Sequence, residues 1–135
     1  MTDPPRYLSQ QDLLDLHGYL VERFGGRLGL ASHDRLVNLA AAPGQTMFGQ
    51  ELYDDLPAKA AALAFYLIKN RPFRSANEAT ALLAVLRFAA LNGHGIDDPQ
   101  ALAAELKALA CSERDHDQLA GWLGAHLRAA GPGHV

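Results

Sequence analysis

The stretch Lys69-Asn-Arg-Pro-Phe-Arg-Ser-Ala-Asn-Glu-Ala-Thr-Ala81 joins two apolar runs of helical period, and its reading decides the fold. Upstream, Ala60, Leu63, Ala64, Leu67 and Ile68 fall at core spacing on a helix that stops before Pro72. Downstream, Ala81, Leu82, Val85, Leu86, Phe88 and Ala89 are apolar around most of the circumference, so residues 76–91 predict a buried central helix ended by Asn92-Gly93. A loop feeding directly into a helix N-terminus is a natural anion site, because unpaired backbone N–H groups and the helix dipole both point into it.

Working outward, Ser9-Gln-Gln-Asp12 reads as a capping box for a first helix with Leu13, Leu16, Leu20, Val21 and Phe24 on one stripe, ended by Gly25-Gly26. His17 lies beside that stripe, packed or half-exposed. Ser32 can cap a shorter helix carrying Leu36, Leu39 and Ala40, stopped by Pro43. From Pro43 to Leu56 there is no clear period, yet Met47, Phe48, Leu52 and Tyr53 are large and apolar. Such a loop either carries function or is pinned inward by those groups. Asp98-Pro99 opens a helix with Leu102, Leu106 and Leu109, and Ser112-Glu-Arg-Asp115 reads as a second capping box before Leu119, Trp122, Leu123 and Leu127. The expected architecture is an all-α, single-domain bundle of six to seven helices. An N-terminal arm spans residues 1–8, the helical domain 9–128 and a disordered tail 129–135.

Composition agrees. The 135 residues suffice for one domain with its own core; hydrophobic residues are 49% and aromatics 7%, a balance that favours helices. Lys plus Arg is 12 against 15 for Asp plus Glu, a net charge of -3, so no positive field draws nucleic acid. The single cysteine, Cys111, allows no internal disulfide. With neither a signal peptide nor an apolar run of bilayer-spanning length, a cytoplasmic protein without membrane contact is expected. The six histidines, at 17, 33, 94, 116, 126 and 134, are scattered and lack metal-ligand spacing, so no metal site is expected.

The loop and its surroundings resemble the death-on-curing (Doc) branch of the Fic/Doc family. The family motif, His-Pro-Phe-x-Asp/Asn-Gly/Ala-Asn-Lys-Arg-Thr, aligns without gaps on Arg71-Pro-Phe-Arg-Ser-Ala-Asn-Glu-Ala-Thr80, matching at Pro72, Phe73, Ala76, Asn77 and Thr80. Phe24-Gly-Gly26, Gly29-Leu30, Leu36, Pro43, Gln45-Thr46, Phe48-Gly49, Tyr53, Ala60-Ala61, Leu91-Asn-Gly93 and Asp97 extend the likeness over about residues 7 to 127. The resemblance implies a chemistry: the motif His is general base on a target hydroxyl and the acidic residue helps hold Mg²⁺. The Lys/Arg pair and loop amides clamp a nucleotide. AMP, or in the Doc branch a phosphoryl group, passes to a protein hydroxyl, with a translation elongation factor as the branch's target class.

This chain departs from the motif where that chemistry resides. Arg71 replaces the base, and a guanidinium stays protonated. Ser75 puts a neutral hydroxyl where Mg²⁺ would want a carboxylate, and Ala79 removes the fork that would neutralise phosphate oxygens. Glu78 places a negative charge in the helix's first turn, either filling the anion hole or pointing to solvent. Upstream, where many relatives read Gly-Ile-Arg-Asp, Leu-Glu-Ser and Arg-Pro, this chain has Gly29-Leu-Ala-Ser32, Leu36-Val-Asn38 and Ala42-Pro43.

The catalytic set is therefore expected to be vestigial, with no intact catalytic residue and no cofactor. The expected function is a pseudoenzyme that binds a protein: an antitoxin-like peptide, a former target or an active relative. The resemblance makes the segment around Gln45, Phe48 and Tyr53 the target flap. The alternative is residual or altered transfer of AMP or phosphate from ATP with Mg²⁺, using Arg71, Arg74, Asn77 and Thr80 to hold the anion and His17, His33 or Glu78 as replacement base. A decayed toxin without a role is the third reading. Oligomeric state is not readable from the sequence.

Overall fold

The computed structural model describes residues 4–129. Helix α1, Gln10–Phe24, starts where the Ser9 hydroxyl accepts the Asp12 amide and the Asp12 carboxylate accepts the Ser9 amide, the expected capping box. Helix α2, His33–Ala41, is capped by Ser32 and runs into a 3₁₀ turn, Ala42–Gly44. Helix α3, Leu56–Asn70, begins at an Asp55 cap with proline in its first turn. Helix α4, Asn77–Leu91, follows the motif loop; α5 spans Pro99–Ala110 and α6 His116–His126. Among the described residues these six α-helices hold the core, and no helix is long and apolar enough to cross a membrane.

Helix α4 is buried along Asn77, Thr80, Ala81, Ala84, Val85, Phe88 and Ala89, and packs on α1, α3 and α5. It shares the centre with α3, whose residues Lys59 through Ala64, Leu67 and Ile68 are all buried and which packs on α2, α4, α5 and α6. Alanines on α3 let its neighbours approach closely, while Leu102, Leu106 and Leu109 of α5 and Leu119 and Leu123 of α6 fill the gaps at 0–1% exposure.

Several local expectations are corrected. Residues 43–56 are not an unstructured loop: Thr46–Met47 (β1) pairs antiparallel with Gln50–Glu51 (β2). Phe48 and Gly49 turn between them at φ 53° and 79°, the signs of a two-residue hairpin turn. His94–Ile96 (β3) pairs with Leu127–Ala129 (β4), carrying ordered chain to Ala129, one residue past the expected domain end. The rest of the tail, with His134, and residues 1–3 lie outside the described residues. Residues 6–8 of the arm are tied to the core: the Asn92 side chain bonds both N–H and C=O of Arg6, Tyr7 stacks on Phe88 and Leu8 is buried.

The last capping box is Asp115 with Gln118, three residues beyond the one expected. Ser112 instead accepts the Lys69 ammonium at 2.7 Å and sits at φ 61°. On α1 the buried face is Leu13, His17 and Leu20; Phe24 is 78% exposed at the helix end.

Candidate functional site

The motif loop is held by its own backbone. Arg71 takes φ 49° as the C-cap of α3, its amide donating to the Leu67 carbonyl, and Pro72 turns the chain away. The Pro72 carbonyl accepts the amides of Ala31 and Ser32 at 2.8 and 3.2 Å, Phe73 bridges Leu30, and the Arg74 amide donates to Gly29 at 3.0 Å. Two segments separated by over forty residues thus lie side by side, bringing Gly29–Ser32 to the motif.

The motif side chains turn inward. Asn77, 2% exposed, closes a ring with Phe73: its Oδ1 accepts the Phe73 amide at 3.0 Å and its Nδ2 donates to the Phe73 carbonyl at 2.9 Å. The Thr80 hydroxyl, fully buried, donates to the Ala76 carbonyl at 2.7 Å. The Ser75 hydroxyl accepts from the Arg27 amide at 2.8 Å and donates to the Arg27 carbonyl at 3.0 Å. It packs so closely on Gly26, itself at φ +121°, that a Cβ there would sit 2.8 Å from Ser75 Oγ. The Arg74 Nε donates to the Leu30 carbonyl at 3.2 Å. Of the four candidate anion-binding side chains, then, Asn77 and Thr80 serve the backbone, Arg74 serves it with one N–H, and Arg71 is exposed at the loop's corner.

Beneath the loop, Phe73 is 2% exposed and stacks on His17 of α1, ring centroids 4.1 Å apart and planes 10° from parallel. His17 is 1% exposed, and neither ring nitrogen has a hydrogen-bond partner among the described residues. Burial pushes its imidazole below the ordinary range, against a weaker upward pull from the Arg27 backbone. A neutral, enclosed ring is a packing group rather than a base that can reach a substrate hydroxyl. Of the two expectations for His17, packed or half-exposed, the structure bears out the first, in keeping with its position between Leu13 and Leu20.

Ala76 occupies the N-cap of α4 at φ 57°, and among the described residues no side chain caps the first turn. Glu78 is half-buried on the lip of a groove between α4 and α5, about 380 Å³ and walled by Ala76, Ala79, Leu82, Ala103 and Leu106. Among the described residues no ion pair joins it to a cation. The first-turn amides and the exposed Arg71 are what the loop offers a ligand.

The side chains here differ from those that the resemblance implies for Mg²⁺ and a nucleotide: the neutral Ser75 hydroxyl is engaged with the amide and the carbonyl of Arg27, and positions 78 and 79 carry a carboxylate and a methyl group. Across the three flap candidates the structure divides. Phe48 is 99% exposed at the hairpin tip, flanked by Met47 and Leu52 at 56% and 47%. Tyr53 turns in against His116 of α6, ring centroids 5.0 Å apart, and burial raises its pKa. The Gln45 carbonyl accepts the Leu52 amide at the hairpin base. Lys59 of α3, whose ammonium donates to Glu51 of this hairpin at 2.8 Å, has no signal in the sequence beyond its place one helical turn before Leu63 on the core face.

A family model described as the Fic/DOC family matches residues 7–89, from the arm to the last turn of α4. A relative named Toxin Doc, from Mycolicibacterium smegmatis, is 30% identical over 133 residues, which is 94% of this chain and 98% of that protein.

Proposed function

This chain belongs to the Fic/Doc family, and from that premise we propose that it is a catalytically inactive member acting by protein binding. The observation that carries the reading is the inward commitment of the motif. Ser75, Asn77 and Thr80 are each hydrogen-bonded to the protein's own backbone, and Arg71 stands at the general-base position with no base chemistry to offer. The fully exposed Phe48, on a hairpin with open strand edges, is the contact group for a partner. Given the name of the relative, an antitoxin-like peptide is the first partner to consider, followed by a former target or an active relative. Incubating the purified protein with labelled ATP, Mg²⁺ and a cell extract tests the catalytic half: no label transfer is expected, and Mg²⁺-dependent transfer to a protein band refutes it.

A second reading rests on the uncapped first turn of α4 beside Arg71. It is an altered anion site, able to bind a phosphate-bearing molecule without Mg²⁺. Calorimetry with ATP and with inorganic phosphate separates the two, since the pseudoenzyme reading expects no heat.

A further inference from the structure

One ammonium group ties the returning strand of the β1–β2 hairpin, and the 3₁₀ turn that leads into it, to the helical core. Lys59 Nζ donates to the Pro43 carbonyl, just ahead of the hairpin, at 3.2 Å, and to Glu51 Oε1, on the returning strand, at 2.8 Å. Lys59 is 3% exposed, and the Tyr7 ring covers the group with its centroid 5.4 Å away. Tyr7 also closes over Gly44, where an added Cβ would come within 3.3 Å of its ring. Hydrophobic packing does not back the hairpin. Residues Thr46 through Leu52 are all exposed, and a cavity of about 940 Å³ lies between the hairpin base, with Glu51 and Asp54, and the C-terminal end of α4, with Leu91 and Asn92. Packing at that depth of α3 would be as well served by an aliphatic side chain without the cost of desolvating a charge. The ion pair therefore has another task.

We propose that Lys59 is the positioning residue of the hairpin: its pair with Glu51 and its bond to Pro43 fix one orientation of β1–β2, and with it the place of Phe48. This deepens the docking reading above, because a lone exposed ring anchors a partner well only when held in its bound place beforehand. Lys59 acts through Glu51 and Pro43 and touches no partner itself. It lies twelve residues before Arg71 on α3, about 18 Å along the helix, well away from the motif. The contact is intramolecular, so it is in place before any partner binds.

The test is hydrogen exchange by mass spectrometry on the full chain, for wild type, Glu51→Gln, Lys59→Met and Lys59→Arg. Glu51 is 46% exposed, so Glu51→Gln keeps the fold even if Lys59→Met does not. In Glu51→Gln, peptides covering residues 45–52 are expected to exchange about tenfold faster, while α3 and α4 peptides stay within about twofold of wild type. Lys59→Arg keeps donors for both oxygens and should restore most of the protection. Unchanged hairpin exchange in Glu51→Gln overturns the proposal, as does acceleration spread equally over α3 and α4, which would make the pair a general stabiliser. Phe48→Ala leaves hairpin exchange as in wild type; if it also leaves partner capture unchanged, the docking reading falls while the positioning role of Lys59 stands.

Discussion

Replacing Asn77 by alanine discriminates between a ligand-binding and a structural asparagine at the start of α4. In the structure the side chain makes two hydrogen bonds, to the Phe73 amide at 3.0 Å and the Phe73 carbonyl at 2.9 Å, inside a site 2% exposed. Asn77→Ala removes both bonds, each with a net value of about 1 kcal/mol, and leaves a buried amide and carbonyl of Phe73 unpaired. Because the site is buried, part of the desolvation cost remains, and the total comes to about 2–4 kcal/mol. Against a typical total stability of about 5–15 kcal/mol, that loss is large. Urea unfolding followed by circular dichroism should show a clearly lower midpoint with an unchanged slope. A loss below about 1 kcal/mol refutes the reasoning, for it would mean that Phe73 finds other partners and Asn77 is free to serve a ligand. Asn77→Asp should be nearly as damaging, because a carboxylate accepts the Phe73 amide but faces the Phe73 carbonyl without a proton to give it.

Other outcomes follow from the same loop. His17 has a folded-state pKa below its unfolded value of about 6.5, so the unfolded chain binds more protons as the pH drops past that value. Its contribution to stability is complete above that value and lost as pH falls toward the folded pKa; the urea midpoint of wild type should drop between about pH 7 and pH 5 more than that of His17→Leu, and parallel profiles would refute the assignment. Ala76→Gly relieves a left-handed non-glycine at φ 57°, worth about 1 kcal/mol, less the extra flexibility gained by the unfolded chain; a net gain of about 0.5 kcal/mol is expected in thermal unfolding, and a loss would contradict it. Restoring Arg71→His, Ser75→Asp, Glu78→Lys and Ala79→Arg together should yield measurable ATP binding by calorimetry, although the new carboxylate at position 75 is set against the Arg27 carbonyl to which the Ser75 hydroxyl donates; no heat would mean that the cradle itself has closed.

Much of the molecule was legible in its sequence because the relevant physics is local. Apolar period, caps and breakers sufficed for α1 from Ser9, α3 before Pro72, α4 from Ala76 to Leu91 and α5 from Asp98, and the match at Pro72, Phe73, Asn77 and Thr80 pointed to the family. The absence of a base at position 71 and of a carboxylate at position 75 is likewise a matter of residue identity alone. Tertiary contacts decided the rest. Whether Ser75 and Asn77 face a ligand or the backbone depended on where Arg27 and Phe73 lay, and Arg27 is over forty residues away. His17 became a core residue because Phe73 covers it, and Lys59 became a clamp because Pro43 and Glu51 converge on it. The hairpin around Phe48 leaves no periodic signal in the sequence because two-residue strands have no period; its form comes from a turn with two positive φ angles and from a lysine on another element.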